Sequence, residues 1–497
     1  MKGEAQKGKA QSVERKASGA WRAMGFTFRM LSDEERERIA GAALGLLERV
    51  GVQLTEPEAR ELLHGAGARI EGERARVPEE LVEEAIKSAP STIAIYDRDG
   101  ERAMELGGRS VYFGAHTDAP DVLDPWTNER RPCEEADVGR HAVLIDALDN
   151  ICYTTASGMV SDRPAPIADR VALAQCLVAS RKPALAMPVS NEGLIDCHEM
   201  AALAVGGDDA LRDHPILIVY SEPVSPLIHP DDSIRRLLYC AQNEIPLVYT
   251  PYAAMGATAP MSPAAVTAQL CAESLSALVI HQLKRPGAPF VFGGMASVMD
   301  MRTTIFSYGA PEFQRGNALM AEMSHHFDLP NFGTAGTSDA QSFDGQAVLE
   351  AASSCMMAQL VGANLVHDVG LLGNATVVMP AMIVVTDEIL AMLDHLFGEV
   401  DVSDEALGLS VLEEVGVGGE FVTHSHTFDH FRDIWYPDLL FRAGAEAWAT
   451  SNQEAFQERV NARTCELIDN HEPVRLPNDV SEAIQAIVVG AEARLAN

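Results

Sequence analysis

Basic residues are scarce in this chain, and their scarcity narrows what it can bind. Against 72 Asp and Glu, the 497 residues contain only 38 Lys and Arg, which gives a formal net charge of -34. A field of this sign repels the phosphates of nucleic acids and of anionic membranes. We therefore expect neither nucleic acid nor a membrane among the partners, and we interpret the charge chiefly as a source of solubility.

Long apolar runs, a secretory leader and paired cysteines are also missing. No apolar run reaches the length of about 18 residues that a membrane span needs. Residues 1–29 are basic and polar without an apolar segment, which predicts a flexible extension and not a signal peptide. The eight cysteines are scattered without paired spacing, as is typical of buried thiols in a reducing compartment. These features predict a cytoplasmic protein.

Several common catalytic motifs are absent as well. No G-x-x-x-x-G-K-[ST] loop occurs and no G-x-G-x-x-G follows the first strand-like run, so we expect no bound nucleotide. A G-x-S-x-G nucleophile elbow is missing too. His424, His426 and His430 lie close together, but no second cluster of cysteines or acids has matching spacing. We expect no metal on this chain, and a role of these histidines beyond packing stays open.

What the sequence does contain is an alternation of short apolar runs with longer helical stretches. The runs lie at 110–116, 151–157, 183–189, 215–222, 245–252, 289–295, 330–336 and 364–370. Segments rich in alanine and leucine separate them, so that one run follows another after roughly 30 to 40 residues in most cases. This alternation predicts βα units, and eight units favour a closed (β/α)8 TIM barrel. An open, Rossmann-like sheet is the alternative.

The segments outside this alternation are predicted to be mainly helical. We assign residues 30–108 to a helical preface packed on the barrel, 109–400 to the barrel core, and 401–497 to a C-terminal helical region that completes the domain. Two helices of the preface begin with a capping-box pattern, Ser32 with Glu35 and Thr55 with Glu58.

The ends of the predicted strands carry the residues from which a barrel builds its active site. The candidates are aromatic (Phe113, Tyr220, Tyr252), acidic (Glu222, Asp339, Asp368), histidine (His116, His367) and glycine (Gly333, Gly336). Aromatic faces attract cations, carboxylates complement them, and glycines let a large ligand approach the backbone. The residues alone therefore predict a barrel enzyme whose mouth suits a cation.

Longer stretches of the sequence resemble the trimethylamine methyltransferase family. The likeness runs from about residue 30 to about residue 485 and includes "DPWTNERRPCEEADVGRHAVLIDALDNI", "SPLIHP", "GAPEFQRGNALMAEMSHHFDLPNFGTAGTSDAQSFDGQA", "VGANLVHDVGLL", "EEVGVGGEFVTHSHTFDHFRDIWYPDLLFR" and "NHEPVRLPNDV". Members of this family move a methyl group from an amine to a corrinoid (cobalamin) cofactor carried by a partner protein. The resemblance implies an enzyme of one-carbon metabolism with a cognate corrinoid protein, and we expect a homo-oligomer.

The resemblance also marks where this chain departs from the archaeal members. Those enzymes hold pyrrolysine in the segment that matches "GTAGTSDA", at the position of Gly336. The chain is therefore similar to the branch without pyrrolysine, whose members demethylate glycine betaine and other quaternary amines. On this basis Gly336, Thr337 and Asp339 are candidate catalytic residues, and Gly333 and Gly336 would give space to the corrinoid and the substrate head group.

A quaternary ammonium makes pyrrolysine dispensable, because its positive nitrogen already leaves as a neutral amine. We expect transfer to Co(I) of the partner, with glycine betaine as the default substrate, in a dry, apolar pocket and without a general base. The residues expected around the substrate are Phe113, His116, Tyr220, Glu222, Tyr252 and His367. Arg315 would bind the betaine carboxylate, because the pyrrolysine enzymes, whose amine has no carboxylate, carry an apolar residue there.

Several alternatives stay open. The same chemistry could act on trimethylamine, proline betaine, carnitine, γ-butyrobetaine, choline or a sulfonium compound. A barrel that binds methylated amines without turnover would need no corrinoid partner. A metal-dependent barrel hydrolase would bind zinc and use the three histidines between residues 424 and 430.

Overall fold

Eight short parallel strands close into a barrel in the computed structural model, which describes residues 28–451 and 455–495. In chain order β1–β8 are Tyr112–Ala115, Ile151–Thr155, Ala184–Ala186, Leu217–Ser221, Leu247–Tyr249, Phe290–Gly293, Asn331–Thr334 and Leu365–Val369. Each strand pairs with the next, and β8 pairs with β1. The predicted TIM barrel is confirmed, with one strand in each of the predicted runs, and the open sheet is wrong. The predicted extension 1–29 lies, except for its last two residues, outside the described residues.

A long helix follows each strand on the outside of the barrel. In chain order α1–α8 are Glu135–Ala147, Ala168–Ala179, Asn191–Val205, Asp231–Asn243, Pro263–Lys284, Pro311–His326, Gly345–Val361 and Pro380–Phe397. Within the described part of the chain, α5 alone is long and apolar enough to cross a membrane. Most of α5 is buried, and a core helix of any large barrel passes the same test, so the finding is weak evidence for a membrane span.

Three short helices of the preface, Asp33–Arg49, Pro57–Gly65 and Glu79–Ser88, pack on α5. A small sheet joins the preface to the barrel, because strand Val52–Leu54 pairs with Ile228–His229 in the loop after β4 and with the hairpin formed by Arg69–Glu71 and Arg74–Arg76. A second hairpin, Ile93–Tyr96 with Arg102–Leu106, adds apolar side chains to the cluster that fills the barrel interior.

The first helix of the preface has the predicted N-terminal capping box, and the second has a different N-cap. The box of Ser32 and Glu35 is present, with the Ser32 amide donating to the Glu35 carboxylate at 2.8 Å. The predicted box of Thr55 and Glu58 is wrong, because Glu56 caps this helix by accepting from the amide of Ala59 at 2.8 Å. Pro57 occupies the first helical position, where its fixed φ and missing N–H are tolerated, and so sets the boundary.

After α8 the chain forms four short helices, Asp404–Leu407, Leu409–Val415, Ser425–His430 and Ala445–Thr450, whose residues are largely exposed. Helix Phe456–Asn470 then packs on α8 and α1, and helix Asn478–Leu495 packs on α3 and α2. The division of the chain at residues 30, 109 and 401 stays a prediction.

All eight cysteines are free, and seven of them are buried. Burial raises the pKa of the Cys152 thiol to about 11 and that of Cys133 to about 12. These thiols pack as small apolar side chains.

Short elements beyond the carboxyl ends of the barrel strands build its mouth. Tyr252–Met255 pairs in parallel with Met295–Val298, extending β5 and β6 outward. A four-stranded sheet combines Asp121–Leu123, Arg130–Pro132, Leu371–Leu372 and Val377–Val378. The 3-10 turn Ala165–Ile167 precedes α2, and the short helix Asp208–Asp213 follows α3.

The close packing of Tyr153 on Gly114 of β1 predicts that a side chain at this position destabilises the fold. A Cβ at this position would overlap the ring of Tyr153, which cannot turn aside without losing the 2.9 Å hydrogen bond from its hydroxyl to the Val366 carbonyl. We expect Gly114→Ala to lower the free energy of unfolding by about 2 kcal/mol or more, measured by urea denaturation. Gly333→Ala is the matched control, because its Cβ would meet only Ala363, at 3.5 Å. Equal stability of the two variants would contradict this account.

Candidate functional site

A cavity of about 460 Å³ lies at the mouth of the barrel, at the end where βα loops begin. Its wall includes aromatic and sulfur-containing side chains, namely Tyr220, Tyr252, Phe306, Tyr308, Met187 and Met295. Three carboxylates stand among them, Asp118, Glu222 and Asp368, and no lysine or arginine is present among the described residues that line it. Ring faces and carboxylates both attract positive charge, so the cavity suits an organic cation.

Two of the carboxylates, Asp118 and Glu222, are accessible to solvent but stand in a protein-lined cavity that removes part of their hydration. Glu222 follows β4 and accepts a hydrogen bond of 2.9 Å from the Tyr220 hydroxyl. The loss of hydration raises the pKa of Glu222, and the negative charge of Asp118 acts in the same direction. It likewise raises the pKa of Asp118, with the charge of Asp368 adding to the shift. Each carboxylate therefore makes it harder for its neighbour to ionise unless a cation lies between them.

Asp368, near the end of β8, is the least satisfied of the three. It is only 2% exposed, and its Oδ1 lies 2.9 Å from Nδ1 of His367. Its Oδ2 is buried and has no hydrogen-bond partner among the described residues. The backbone is also strained, since φ is +79° at Asp368 and +45° at Asp118, a region that side chains other than glycine seldom adopt. A bound cation would offset the cost of this buried oxygen.

The aromatic side chains at the mouth form two groups of contacting rings. The His367 ring stacks on Phe332 at a centroid distance of 4.3 Å, and Phe332 meets the Tyr220 ring at 5.8 Å. On the other side Phe306 contacts Tyr252 at 5.9 Å and Tyr308 at 5.3 Å. The wall is therefore made of rings that hold one another in place.

Two acidic residues outside the cavity fix the loops that form its wall. Asp339 accepts hydrogen bonds from the amides of Tyr308 and Gly309 at 2.9 and 3.0 Å, and from the Ser307 hydroxyl. Glu273 of α5 accepts from the Ser225 hydroxyl at 2.6 Å and from the amide of Leu227 at 3.0 Å. These carboxylates position the loops after β6 and β4.

Five of the residues singled out in the sequence line the cavity: Tyr220, Glu222, Tyr252, His367 and Asp368. Phe113 does not, and its place around the substrate stays a prediction. Successive side chains of a strand point to opposite faces, so Tyr112 faces the barrel interior while Phe113 packs against Leu144 and Ile145 of α1.

His116 and Arg315 are also missing from the described lining of the cavity. His116 is fully buried, its ring nitrogens have no hydrogen-bond partner among the described residues, and burial lowers its pKa to about 3. Arg315 is exposed on α6. The structure therefore does not bring Arg315 to the site where a carboxylate was expected.

The glycine-rich end of β7 also lies outside the cavity wall. Gly336 has φ +75°, and a Cβ there would lie 2.8 Å from Cγ2 of Val369. A Cβ at Gly333 would meet Ala363. The backbone conformation and Val369 explain Gly336 without a ligand, and the expectation that these glycines open space for one stays a prediction. Thr337 is buried and donates to the Leu371 carbonyl at 3.0 Å. With Asp339 bound to the Tyr308 loop, none of the three proposed catalytic residues lines the cavity.

Asp118, Phe306 and Tyr308 are not among the residues predicted from the sequence. Asp118 lies two positions beyond His116, just past the end of the predicted strand 110–116. Phe306 and Tyr308 belong to the loop between Met295–Val298 and α6, where strand periodicity gives no signal.

The histidine cluster has a structural explanation. Nδ1 of His424 accepts from the amide of His426 at 3.1 Å and so caps helix Ser425–His430, and the His426 and His430 rings lie 4.4 Å apart. Across residues 28–451 and 455–495, no group of three or more His, Cys, Asp and Glu is placed to hold a metal. The hydrolase alternative gains no support from this arrangement.

Comparison with known proteins gives one family. Residues 2–495 match the trimethylamine methyltransferase (MTTB) family. The chain is 28% identical over 478 residues to trimethylamine methyltransferase MttB of Desulfitobacterium hafniense (strain DSM 10664 / DCB-2), with 96% of each chain covered. It is 27% identical over 467 residues to glycine betaine methyltransferase of Desulfitobacterium hafniense (strain Y51), covering 93% of this chain and 96% of that one. The crystal structure of Methanosarcina barkeri monomethylamine methyltransferase (MtmB) aligns with a TM-score of 0.46 and 12% identity, over 89% of this chain and 94% of that one.

The carboxylates of the cavity predict a pH-dependent affinity for tetramethylammonium, a cation that cannot itself titrate. Because the pKa values of Asp118 and Glu222 are raised, both groups take up protons, and the cavity loses negative charge, as the pH falls. We expect the Kd to increase as the pH is lowered from about 8 to about 5, measured by isothermal titration calorimetry. Glu222→Gln should weaken binding at the higher pH by about tenfold and flatten the dependence. Glu192→Gln, on the exposed start of α3, is the control. A Kd independent of pH would remove these carboxylates from the binding site.

Proposed function

The chain belongs to the trimethylamine methyltransferase family, and we propose that it moves a methyl group from a quaternary amine to Co(I) of a corrinoid carried by a partner protein. Like the relatives it matches, it is a methyltransferase. The proposal includes the nature of the amine, the corrinoid partner, a homo-oligomeric state and a cytoplasmic location.

The observation that carries the proposal is the buried carboxylate of Asp368, whose Oδ2 lacks a partner among the described residues that surround it. A cation would satisfy it, and the described lining contains no basic side chain that could do so. Aromatic rings and methionines in the same wall favour a cation covered with methyl groups over a hydrated metal ion, which prefers a shell of oxygen ligands. A methylated ammonium has the required charge and surface.

The residues of the cavity would bind and orient this cation and exclude water. The Co(I) corrinoid supplies the nucleophile when the partner is bound. A cavity that is open at the barrel mouth leaves one methyl group accessible from outside, which suits a bulky cofactor presented by a second protein. The nitrogen leaves as a neutral amine, so no residue of the chain has to deliver a proton.

The carboxylates change the expectation of which interactions accelerate methyl transfer. A dry, apolar pocket is expected from the sequence, whereas the cavity contains three acidic side chains that would stabilise a cationic ground state. Stabilising the substrate does not by itself accelerate the reaction. We infer that alignment of the C–N bond by Tyr220, Tyr252 and Tyr308 contributes most, and that Asp368 contributes mainly to affinity and position.

Methyl transfer tests the proposal directly. The chain, a reduced corrinoid protein and each of tetramethylammonium, glycine betaine and trimethylamine are incubated together, and the demethylated amine is quantified by mass spectrometry. We expect turnover of at least one quaternary amine and a loss in kcat/KM of about tenfold or more for Asp368→Asn, the size expected when a charge-assisted contact is removed. The exposed Asp300→Asn is the matched control. Tight binding without turnover would instead support a barrel that only binds methylated amines, and stoichiometric zinc in active protein would support a hydrolase.

A further inference from the structure

The end of the barrel opposite the mouth contains a cavity of about 290 Å³ whose lining is rich in arginine. Arg109 lies just before β1, and residues 325–329 connect α6 to β7, so the cavity lies where the chain enters two barrel strands. Arg29 and Arg36, near the start of the preface, also line it. The described lining thus holds three arginines, although acidic residues outnumber basic ones across the whole chain.

Two carboxylates line the same cavity, Glu322 and Asp328, and neither forms an ion pair with these arginines within the described residues. Glu322 is 1% exposed, and its oxygens accept from the backbone amides of Met30 and Leu31, the latter at 3.0 Å. Asp328 is exposed to water, which weakens the effect of its charge on the cavity. Because amides already satisfy Glu322, the arginines keep donors available for another anion.

Arg36 has an incomplete set of hydrogen bonds. Its side chain is 12% exposed, and Asp33, whose side chain is 80% exposed, accepts from its Nη2. Asp33 also pairs with Arg29 at 3.3 Å, but ion pairs of so exposed a carboxylate are weak. The Nε atom of Arg36 is buried and has no hydrogen-bond partner in the part of the chain that the structure describes. Such a guanidinium gains from an anion placed beside it.

Arg109 is half-buried and lacks a counter-ion. Its Nη2 donates to the Leu360 carbonyl at 2.8 Å and to the Phe28 carbonyl at 3.4 Å, and no described carboxylate lies within the 4.0 Å that defines an ion pair. Burial lowers the pKa of Arg109 and the charge of Arg29 acts in the same direction, although Glu322 opposes them. An anion would therefore stabilise a charge that the protein compensates only in part.

His325 shows that two of these arginines lie close to one point of the wall. Its pKa is lowered to about 4, chiefly by burial, and the charges of Arg109 and Arg36 both add to the shift. Its Nε2 lies 3.1 Å from the Gly362 carbonyl and therefore carries the proton of the neutral ring. His326 is the other histidine of the lining. Since His325 adds no positive charge at neutral pH, the attraction for an anion comes mainly from the arginines.

We propose that this cavity binds a small tetrahedral oxyanion with two negative charges, either inorganic phosphate or the phosphate group of a small ester. A phosphate offers oxygens in several directions and can accept from more than one guanidinium at once, whereas a carboxylate offers two oxygens in one plane. Glu322 and Asp328 offset part of the attraction, so we expect a Kd between about 0.1 and 1 mM. The site lies apart from the mouth and does not depend on the proposed function.

A bound anion would connect three parts of the chain. Arg29 precedes the first helix of the preface, Arg36 belongs to that helix, and Arg109 leads into the barrel. The ligand would therefore hold the start of the preface against the barrel. Met30 and Leu31, whose amides donate to Glu322, would open less often in its presence.

Calorimetric titration in a phosphate-free buffer tests this inference with inorganic phosphate, glycerol 3-phosphate and acetate. We expect saturable binding of at least one phosphate ligand and none of acetate. Arg36→Met and Arg109→Met should each weaken phosphate binding about tenfold or more, as expected when a charge-assisted contact is lost. Arg38→Met is the matched control, because Arg38 is exposed on the same helix as Arg36 and stands outside the described lining.

Hydrogen exchange locates the bound ion. Phosphate should slow the exchange of the amides of Met30 and Leu31 in the unmodified protein but not in Arg36→Met. It should leave the loop after β4, at the mouth, unchanged.

Three results would overturn the inference. The first is a heat that sodium chloride at equal ionic strength reproduces, because it reports only screening. The second is an unchanged phosphate affinity in Arg36→Met and Arg109→Met, both shown by circular dichroism to be folded. If these variants do not fold, Arg29→Met at an exposed position of the lining decides, and an unchanged affinity there is the third. The tighter of phosphate and glycerol 3-phosphate identifies the free ion or the ester as the ligand.

Discussion

The central constraint on this structure is a concentration of negative charge at the barrel mouth, where the described residues that line the cavity include no lysine or arginine. Asp118, Glu222 and Asp368 share one cavity, and the loss of hydration inside it raises the pKa of Asp118 and that of Glu222. A fold tolerates such a cost when a ligand recovers it, because the cation then provides the interaction that the empty cavity lacks. The negative charge therefore favours a cationic ligand, and the aromatic and methionine side chains around it favour an organic cation.

Much of the surrounding structure keeps this charge and its aromatic wall in position. Asp339 and Glu273 hold the two loops through backbone amides, which are rigid donors, and the stacked rings of Phe332 and His367 support the floor. Two of the acids sit on strained backbone, as functional residues often do. Hydrogen bonds made by residues outside the cavity therefore hold the loops of the site in position.

The strands could be predicted from the sequence because each is a short, fully buried run between long helices, and such runs leave a clear pattern. Tyr220, Glu222 and Tyr252 were found for the same reason, since they stand where strands end. Phe113 lies one position from Tyr112, which faces the barrel interior, and a single step along a strand reverses the face. Asp118 and Tyr308 reach the cavity from loops, where only tertiary packing determines which side chains come close. Gly336 shows that a conformational requirement can resemble space left for a ligand.

The buried cysteines have a practical consequence for work with this protein. Oxidants and alkylating reagents attack the thiolate, and at neutral pH the raised pKa of Cys133 and Cys152 keeps these side chains protonated. Cys465, which is partly accessible, has a raised pKa as well. These thiols are therefore poor targets for oxidants at neutral pH. Any sensitivity of the complete reaction to oxygen would then belong to the low-valent cobalt of the proposed partner, and recombining air-exposed enzyme with freshly reduced partner would restore activity.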